Sequence, residues 1–418
     1  MRRILLSLAL LLCGCQSGKM DITAAMQKGK AAFKAGKYDE AISQFEQVVR
    51  AQPNHQEAQY FLGYAYSRTA CAHGGLIMAL NEGKSMQAIE HLAAAIRIDP
   101  QYRGELVVLD PYAKLTSEWG MVALYYAYKD SVNTAITRMK RGRETGAFSD
   151  ALLEYNRNML NSCEADAILF TNGDMDTFPV IYLQAVENYR RDVTVINLSL
   201  LNTSWYIKKM KQGNPFGSLG IPVHLDDAAI DALKPELFKQ QEMDLAFVDA
   251  DHQAHRYTWT MSPTVEKRAI RVQDQMVLHI IKQNQDNRPL YFAATVYEEN
   301  LIGLNNYLVC EGLALRMQDK TDTLKSQERL ARHLNSFTFT SIVKGLCDQQ
   351  PNACSLVQNY RAVYLKQAQA QAKQGHRDQA RQLLDDIQRL LPTEAVPHYD
   401  KQLETEMVKC QKEWAGGV

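Results

Sequence analysis

The sequence has no excess of either charge: Lys plus Arg and Asp plus Glu both number 47. That removes the electrostatic footprint that nucleic acid or an anionic headgroup surface would need, so no nucleic-acid partner is expected. The basic run "RMKRGRE" at 138–144 is short and reads as a solvated helix face. Long apolar runs are missing too. After the first residues, none approaches the about 18 residues of a membrane-spanning helix. No CxxC or Cys/His spacing marks a zinc site, and no phosphate-loop glycine pattern or Ser/His/Asp arrangement stands out.

What is present begins at the N-terminus. Arg2 and Arg3 precede "ILLSLALLL", an apolar stretch of signal-peptide length, followed by "LCGC" at 12–15. Leu12, Gly14 and Cys15 together resemble the lipobox of bacterial lipoproteins, in which the cysteine thiol takes a diacylglycerol and the preceding peptide is removed. Residues 1–15 are therefore expected to be a lipoprotein signal peptide and 16–22 a polar tether. By the same resemblance, Gln16-Ser17 lacks the aspartate that retains many lipoproteins at the inner membrane, so the outer membrane, facing the periplasm, is expected. Six cysteines lie beyond Cys15. An oxidising compartment permits disulfides, and Cys347 and Cys354, which bracket the turn-rich "DQQPNA", are the candidate pair.

A repeat follows the tether. Gly29, Gly36, Tyr38, Ala41, Phe45 and Pro53 resemble the tetratricopeptide pattern, in which small residues let two antiparallel helices approach. A second unit has Gly63, Tyr66, Ala88, Leu92, Ala95 and Pro100, and a third has Gly375, Ala380, Leu384 and Pro392. Ala41 to Pro53, Ala88 to Pro100 and Ala380 to Pro392 all have the same spacing. Helical patterns at 112–128 and 131–161 extend the first stack, giving helical repeats over 23–146.

The middle changes character. "AILFT" (167–171), "VTVINLSLL" (193–201) and "RPLYFAATV" (288–296) are apolar and β-branched, and helical patterns at 180–190, 204–211 and 265–283 separate them. Near-continuous apolar strands alternating with helices predict a parallel sheet covered on both faces. The expected fold is thus α/β plus all-α: tetratricopeptide repeats flanking a parallel, Rossmann-like α/β domain. That domain spans 147–330, with an insertion at 212–262 holding one helix near 226–239, and the C-terminal helical region spans 331–418.

The phrases TNGD-x-DTFP, VINLSLLNT-x-WY and RPLYFA are long and distinctive. They resemble the soluble extracytoplasmic region of bacterial protein-O-mannosyltransferase-like membrane proteins of uncharacterised type, over about residues 150–317. That family usually has Asn where this chain has Met175. Its transferase activity is associated with a multi-pass membrane portion of which this sequence has nothing, so glycosyl transfer is not carried over. The resemblance implies an α/β domain accompanied by tetratricopeptide-like helices in an envelope setting.

The candidate site is the loop after the first strand. Ligands of open parallel sheets bind at the carboxyl ends of the strands. That edge holds Asn172, Asp174, Asp176 and Thr177, then Asn197 and Asn202 after the next strand. Trp205 and Tyr206 would serve as aromatic walls, and Thr295, Asn300, Asn305 and Asn306 would follow the third strand. Two carboxylates suit a divalent cation such as Mg²⁺ or Ca²⁺, or an acid and base pair. The competing reading is N-capping by Asp176 or Thr177 of a helix whose first position is Pro179. His252 and His255 in "DADHQAHRYTW" fit an exposed polar loop better than a metal site. Asp274 is expected to face solvent or to pair with Arg271. The functional reading is a scaffold presenting a tetratricopeptide groove to a protein partner, with an α/β domain that takes a small polar or glycan-like ligand. The alternative is a metal-assisted enzyme acting on envelope glycans or nucleotide-linked sugars through Asp174 and Asp176.

Overall fold

The computed structural model describes residues 20–71, 77–217, 219–248, 254–284, 288–318, 323–342 and 345–415. Cys15 and most of the tether lie outside them. Seven helices come first: α1 (Ile22–Lys34), α2 (Tyr38–Ala51), α3 (Gln56–Ala70), α4 (Glu82–Ile98), α5 (Pro111–Ala127), α6 (Val132–Glu144) and α7 (Asp150–Asn161). Side chains of Asp21, His55, Asn81 and Asp110 accept the first-turn N–H groups of α1, α3, α4 and α5. The repeat glycines allow close helix pairs. A Cβ on Gly29 would sit 2.6 Å from the Phe45 ring, and one on Gly63 2.7 Å from Leu92 Cγ. The pairs α1–α2, α3–α4 and α5–α6 stack in sequence.

The central domain contains β1 (Ile168–Thr171), α8 (Asp174–Glu187), β2 (Thr194–Asn197), α9 (Ser204–Gln212), α10 (Asp227–Asp231), β3 (Glu236–Leu237), β4 (Gln241–Val248), β5 (Ala254–Met261), β6 (Ala269–Ile270), α11 (Val272–Gln283), β7 (Leu290–Ala293), β8 (Leu308–Cys310) and β9 (Ala314–Met317). The main sheet has the order β2-β1-β7-β9-β8. Ile168 pairs in register with both Thr194 and Leu290, and all three strands run parallel. The expectation of a wholly parallel sheet is corrected at the other edge: β9 is antiparallel to β7 and to β8. Residues 311–313 alone join β8 to β9, and a connection that short permits only antiparallel pairing. Every residue of β1, β2 and β7 is buried.

Two helix expectations also change. Among its described residues the insertion holds the short α10 as its helix, followed by β3 and the antiparallel hairpin β4–β5. The pattern at 265–283 becomes helical only at Val272, because residues 269–270 pair with β3. After the sheet come α12 (Thr323–Ser336), α13 (Leu346–Gln349), α14 (Pro351–Lys373), α15 (Arg377–Leu390) and α16 (Lys401–Ala415). The Sγ atoms of Cys347 and Cys354 are bonded, tying α13 to α14. Helices α12 and α14 pack on α7, so the C-terminal helices return to the N-terminal part of the chain. Among the described residues no helix is long and apolar enough to cross a membrane.

The stack and the α/β domain meet where Phe178 of α8 lies over Gly120 of α5, leaving no room for a Cβ at that glycine. Gly120→Ala is expected to cost about 1–3 kcal/mol through overpacking, read as a lower midpoint in urea unfolding followed by circular dichroism.

Candidate functional site

The site begins where β1 turns into α8. The helix starts at Asp174, not at Pro179, which lies inside it. An interior proline removes an N–H that would serve the carbonyl four residues back. Here that carbonyl, on Met175, accepts instead from Asn156 Nδ2 at 3.1 Å. The substitute partner is what lets the helix begin early.

Gly173 is the N-cap residue and has no side chain to offer. Asp176, in the first turn, supplies the cap by reaching back. Its Oδ2 accepts from Asn172 N at 2.9 Å and its Oδ1 from Gly173 N at 2.8 Å. The Thr295 hydroxyl, just beyond β7, donates to the same Oδ2, and Thr177 Oγ1 lies 3.4 Å from Oδ1. An ionised carboxylate has about four lone-pair positions; the two backbone N–H groups and the Thr295 hydroxyl take three of them. Burial pushes the Asp176 carboxyl above its ordinary value, while its hydroxyl and backbone donors oppose the shift. Asp176 is thus a clasp joining β1, α8 and the end of β7. Asp274 does the same in α11, where it accepts from Arg271 N at 2.8 Å and pairs with the Arg271 guanidinium at 3.1 Å.

The other candidates separate into two groups. Thr177 is buried, with Oγ1 2.8 Å from Thr171 Oγ1 and accepting from Asn197 Nδ2 at 2.9 Å. Asn197 Oδ1 accepts from Leu200 N. Both residues tie α8 to β1 and β2. Asn202 exchanges two hydrogen bonds with Gln273 of α11. Trp205 and Tyr206 pack around Tyr128 at 5.3 and 5.8 Å, between the helical stack and the domain. Asn197 thus reaches the loop after β1 through Thr177, and Asn202 is linked to it through Gln273 and Asn300, since Gln273 Nε2 donates to Asn300 Oδ1 at 3.3 Å and Asn300 Nδ2 to Asn172 Oδ1 at 2.8 Å, while Trp205 and Tyr206 pack against Tyr128. Asn305 bonds to Glu298, and His255 lies on β5, while Asp249–His252 lie outside the described residues.

Asn172 and Asp174 do face a cleft of about 700 Å³, together with Thr295, Tyr297, Asn352 and Asn359. Asp174 Oδ2 accepts from Ser117 Oγ of α5 at 2.5 Å; Oδ1 accepts from nothing among the described residues. Burial raises the Asp174 carboxyl above its ordinary 3.8, Ser117 and Lys114 oppose the shift, and Glu118 adds to it. Lys114 is itself held by Glu118 at 2.7 Å.

The far wall of the cleft comes from α14. Asp110 and Asn352 clasp each other: Asp110 N donates to Asn352 Oδ1 at 2.8 Å, and Asn352 N to Asp110 Oδ2 at 2.9 Å. Asn352, Ser355 and Asn359 recur at helical spacing on one face. That polar stripe was the only signal available in the sequence. Nothing local says that it returns to the loop after β1, about 180 residues earlier.

The cation reading loses support from this geometry. Asp176 is mostly taken up by its capping donors, and among the described residues no three His, Cys, Asp or Glu side chains gather where they could hold a metal ion.

Residues 153–250 and 239–332 match the family described as TMEM260-associated domain 2, and residues 26–69 and 362–393 match tetratricopeptide repeats. A 98-residue stretch is 29% identical to the mouse (Mus musculus) protein O-mannosyl-transferase TMEM260. The stretch covers 23% of this chain and 13% of that protein's length. The chain therefore joins a TMEM260-like domain to tetratricopeptide repeats.

The two aspartates should respond differently to substitution. Asp176→Asn turns an amide N–H toward buried N–H donors and is expected to destabilise by about 1–3 kcal/mol. Asp174 has a raised folded-state value, so its contribution to stability is full below 3.8 and is lost as pH rises through that value. Asp174→Asn is therefore expected to melt at or above the wild-type temperature at pH 7, and the gap should close as pH falls below 3.8. Melting curves from pH 3 to 8 check both.

Proposed function

We propose that this protein is a lipid-anchored periplasmic scaffold. Cys15 fixes it to the outer membrane, tetratricopeptide repeats receive a protein partner, and the central cleft receives a small, polyhydroxylated, glycan-like ligand. The repeats support the protein-interaction role, since stacked helix pairs build extended recognition surfaces. The anchor is supported by the charged start, the apolar run and Leu12-x-Gly14-Cys15. The outer membrane is favoured by the absence of aspartate after the cysteine.

The cleft is the observation that carries the ligand. Asp174 Oδ1, Asn352 Nδ2 and the Ser355 hydroxyl line it and make no hydrogen bond within the described chain. The Tyr297 ring beside them is 64% exposed. A carboxylate and an amide side by side suit paired sugar hydroxyls, and an open aromatic ring suits the C–H face of a pyranose. The parallel strands β2, β1 and β7 give this edge a Rossmann-like character, which favours ligand binding at their carboxyl ends. The mouse relative's name is that of a mannosyl-transferase, which lends weight to glycan chemistry; transfer itself is not proposed for this chain.

Two experiments test this. Saturation-transfer NMR with mannose and glucose, on protein beginning at residue 16, is expected to show binding that weakens at least tenfold in Asp174→Ala. No transfer from either sugar, or equal transfer in the variant, ends the ligand reading. Cys15→Ser is expected to shift the protein from the membrane to the soluble fraction of cells. Retention in the membrane fraction ends the anchor reading.

A further inference from the structure

The first helices of the repeat pairs share one face. Gly29 and Gly63 back onto Phe45 and Leu92 of the second helices. Lys30 and Lys34 of α1, and Glu57, Tyr60 and Tyr64 of α3, lie together on another side. That side is where a partner peptide would be received, but the chain itself lies there. Residues 100–109, which link α4 to α5 without regular secondary structure, run along it.

The contacts are those of a bound extended peptide. Glu105 is gripped by Lys34 at 2.9 Å and Lys30 at 3.2 Å. Glu105 N donates to Glu57 Oε1 at 2.8 Å. Val107 N donates to Tyr60 OH at 2.9 Å, and that hydroxyl donates to Leu109 O at 2.8 Å. Leu109 N donates to Tyr64 OH at 2.7 Å. The Tyr102 ring lies 4.3 Å from that of Tyr60. Alternate residues 105, 107 and 109 thus give their amides to the groove, while Leu106 and Val108 stand 47% and 65% exposed. This alternation matches strand periodicity, in which main-chain bonds supply affinity and alternate side chains point away.

We propose that residues 102–109 are a built-in strap occupying the groove of the N-terminal repeats, exchangeable for an extended acidic peptide of a partner protein. In the exchange, a partner carboxylate takes the Lys30–Lys34 pair, and two alternate N–H groups take the Tyr60 and Tyr64 hydroxyls. The strap is suited to leaving. Its ion pairs are partly exposed and so contribute little, and the tyrosine hydroxyls it covers can hydrate. It holds its place through tethering, since a covalently linked segment competes at an effective concentration on the order of millimolar. The proposal rests on the scaffold reading but is narrower, because a partner bound elsewhere on the protein would leave the strap in place.

The test uses a fluorescent peptide copying residues 101–110 and two full-length chains. One is the wild type. In the other, Glu105→Lys with Val107→Pro loosens the strap by removing the gripped carboxylate and the N–H given to Tyr60. The loosened chain is expected to bind the peptide at least tenfold more tightly than the wild type, and Lys30→Glu with Lys34→Glu in that background should abolish binding. A folded, loosened chain that binds no peptide, or binds it no better than the wild type, overturns the proposal. If circular dichroism shows the loosened chain unfolded, hydrogen exchange on the wild type decides. Val107 and Leu109 amides exchanging at least tenfold faster than those of the α3 core support an exchangeable strap, and equal protection overturns it. A partner that is still captured by the wild type when the strap proves fixed leaves the scaffold reading standing.

Discussion

A two-helix repeat cannot bury both of its faces, and the architecture follows from how this chain meets that constraint. The N-terminal stack does not end in a solvated capping helix. Its last pair is covered by α8, with Phe178 seated over Gly120. The close approach brings Ser117 of α5 to Asp174 and so joins the helical stack to the loop after β1. The Asp110–Asn352 clasp then fixes α14 across that loop. The cleft therefore exists because three separate parts of the chain use one another to bury apolar surface.

Within that frame the two aspartates of the loop have opposite characters. Asp176 satisfies the N-terminal groups of α8 and ties them to β7, and most of its lone pairs are engaged. Asp174 is held by one hydroxyl and keeps an oxygen toward the cleft. A carboxylate raised by burial yet open on one side is the arrangement expected of a group kept for recognition and not for stability. The pair that looked like one acid and base unit is thus one structural clasp and one candidate contact.

Much of this was legible in the sequence. The repeat spacing placed the helix pairs, because close packing requires glycine or alanine at fixed positions. Strands β1, β2 and β7 announced themselves as apolar β-branched runs, since each is buried on both faces. Strand β8 has only three residues, and β9, as long as β1, has no β-branched residue and includes Arg316. The β4–β5 hairpin was hidden because its residues include charges such as Asp244 and Arg256, which pair across the strands. Pro179 marks a helix start by sequence alone, because an interior proline normally breaks a helix. Asn156 removes that objection from another helix, and no local pattern could have revealed it.

The sequence by itself determined the repeat helices, the three parallel strands with their order along the chain, and the loop that carries the two aspartates, because apolar periodicity and close-packing glycines are local properties. Only the tertiary structure decided which polar groups face the cleft. Thr177, Asn197 and Asn202 resemble Asn172 and Asp174 in chemistry, and all five find partners within the fold, but Asp174 keeps one oxygen toward the cleft. Whether a polar side chain is satisfied internally depends on residues far away in the chain. That is why Asn352, from the C-terminal helices, joins the site while Asn202, much closer in sequence, does not.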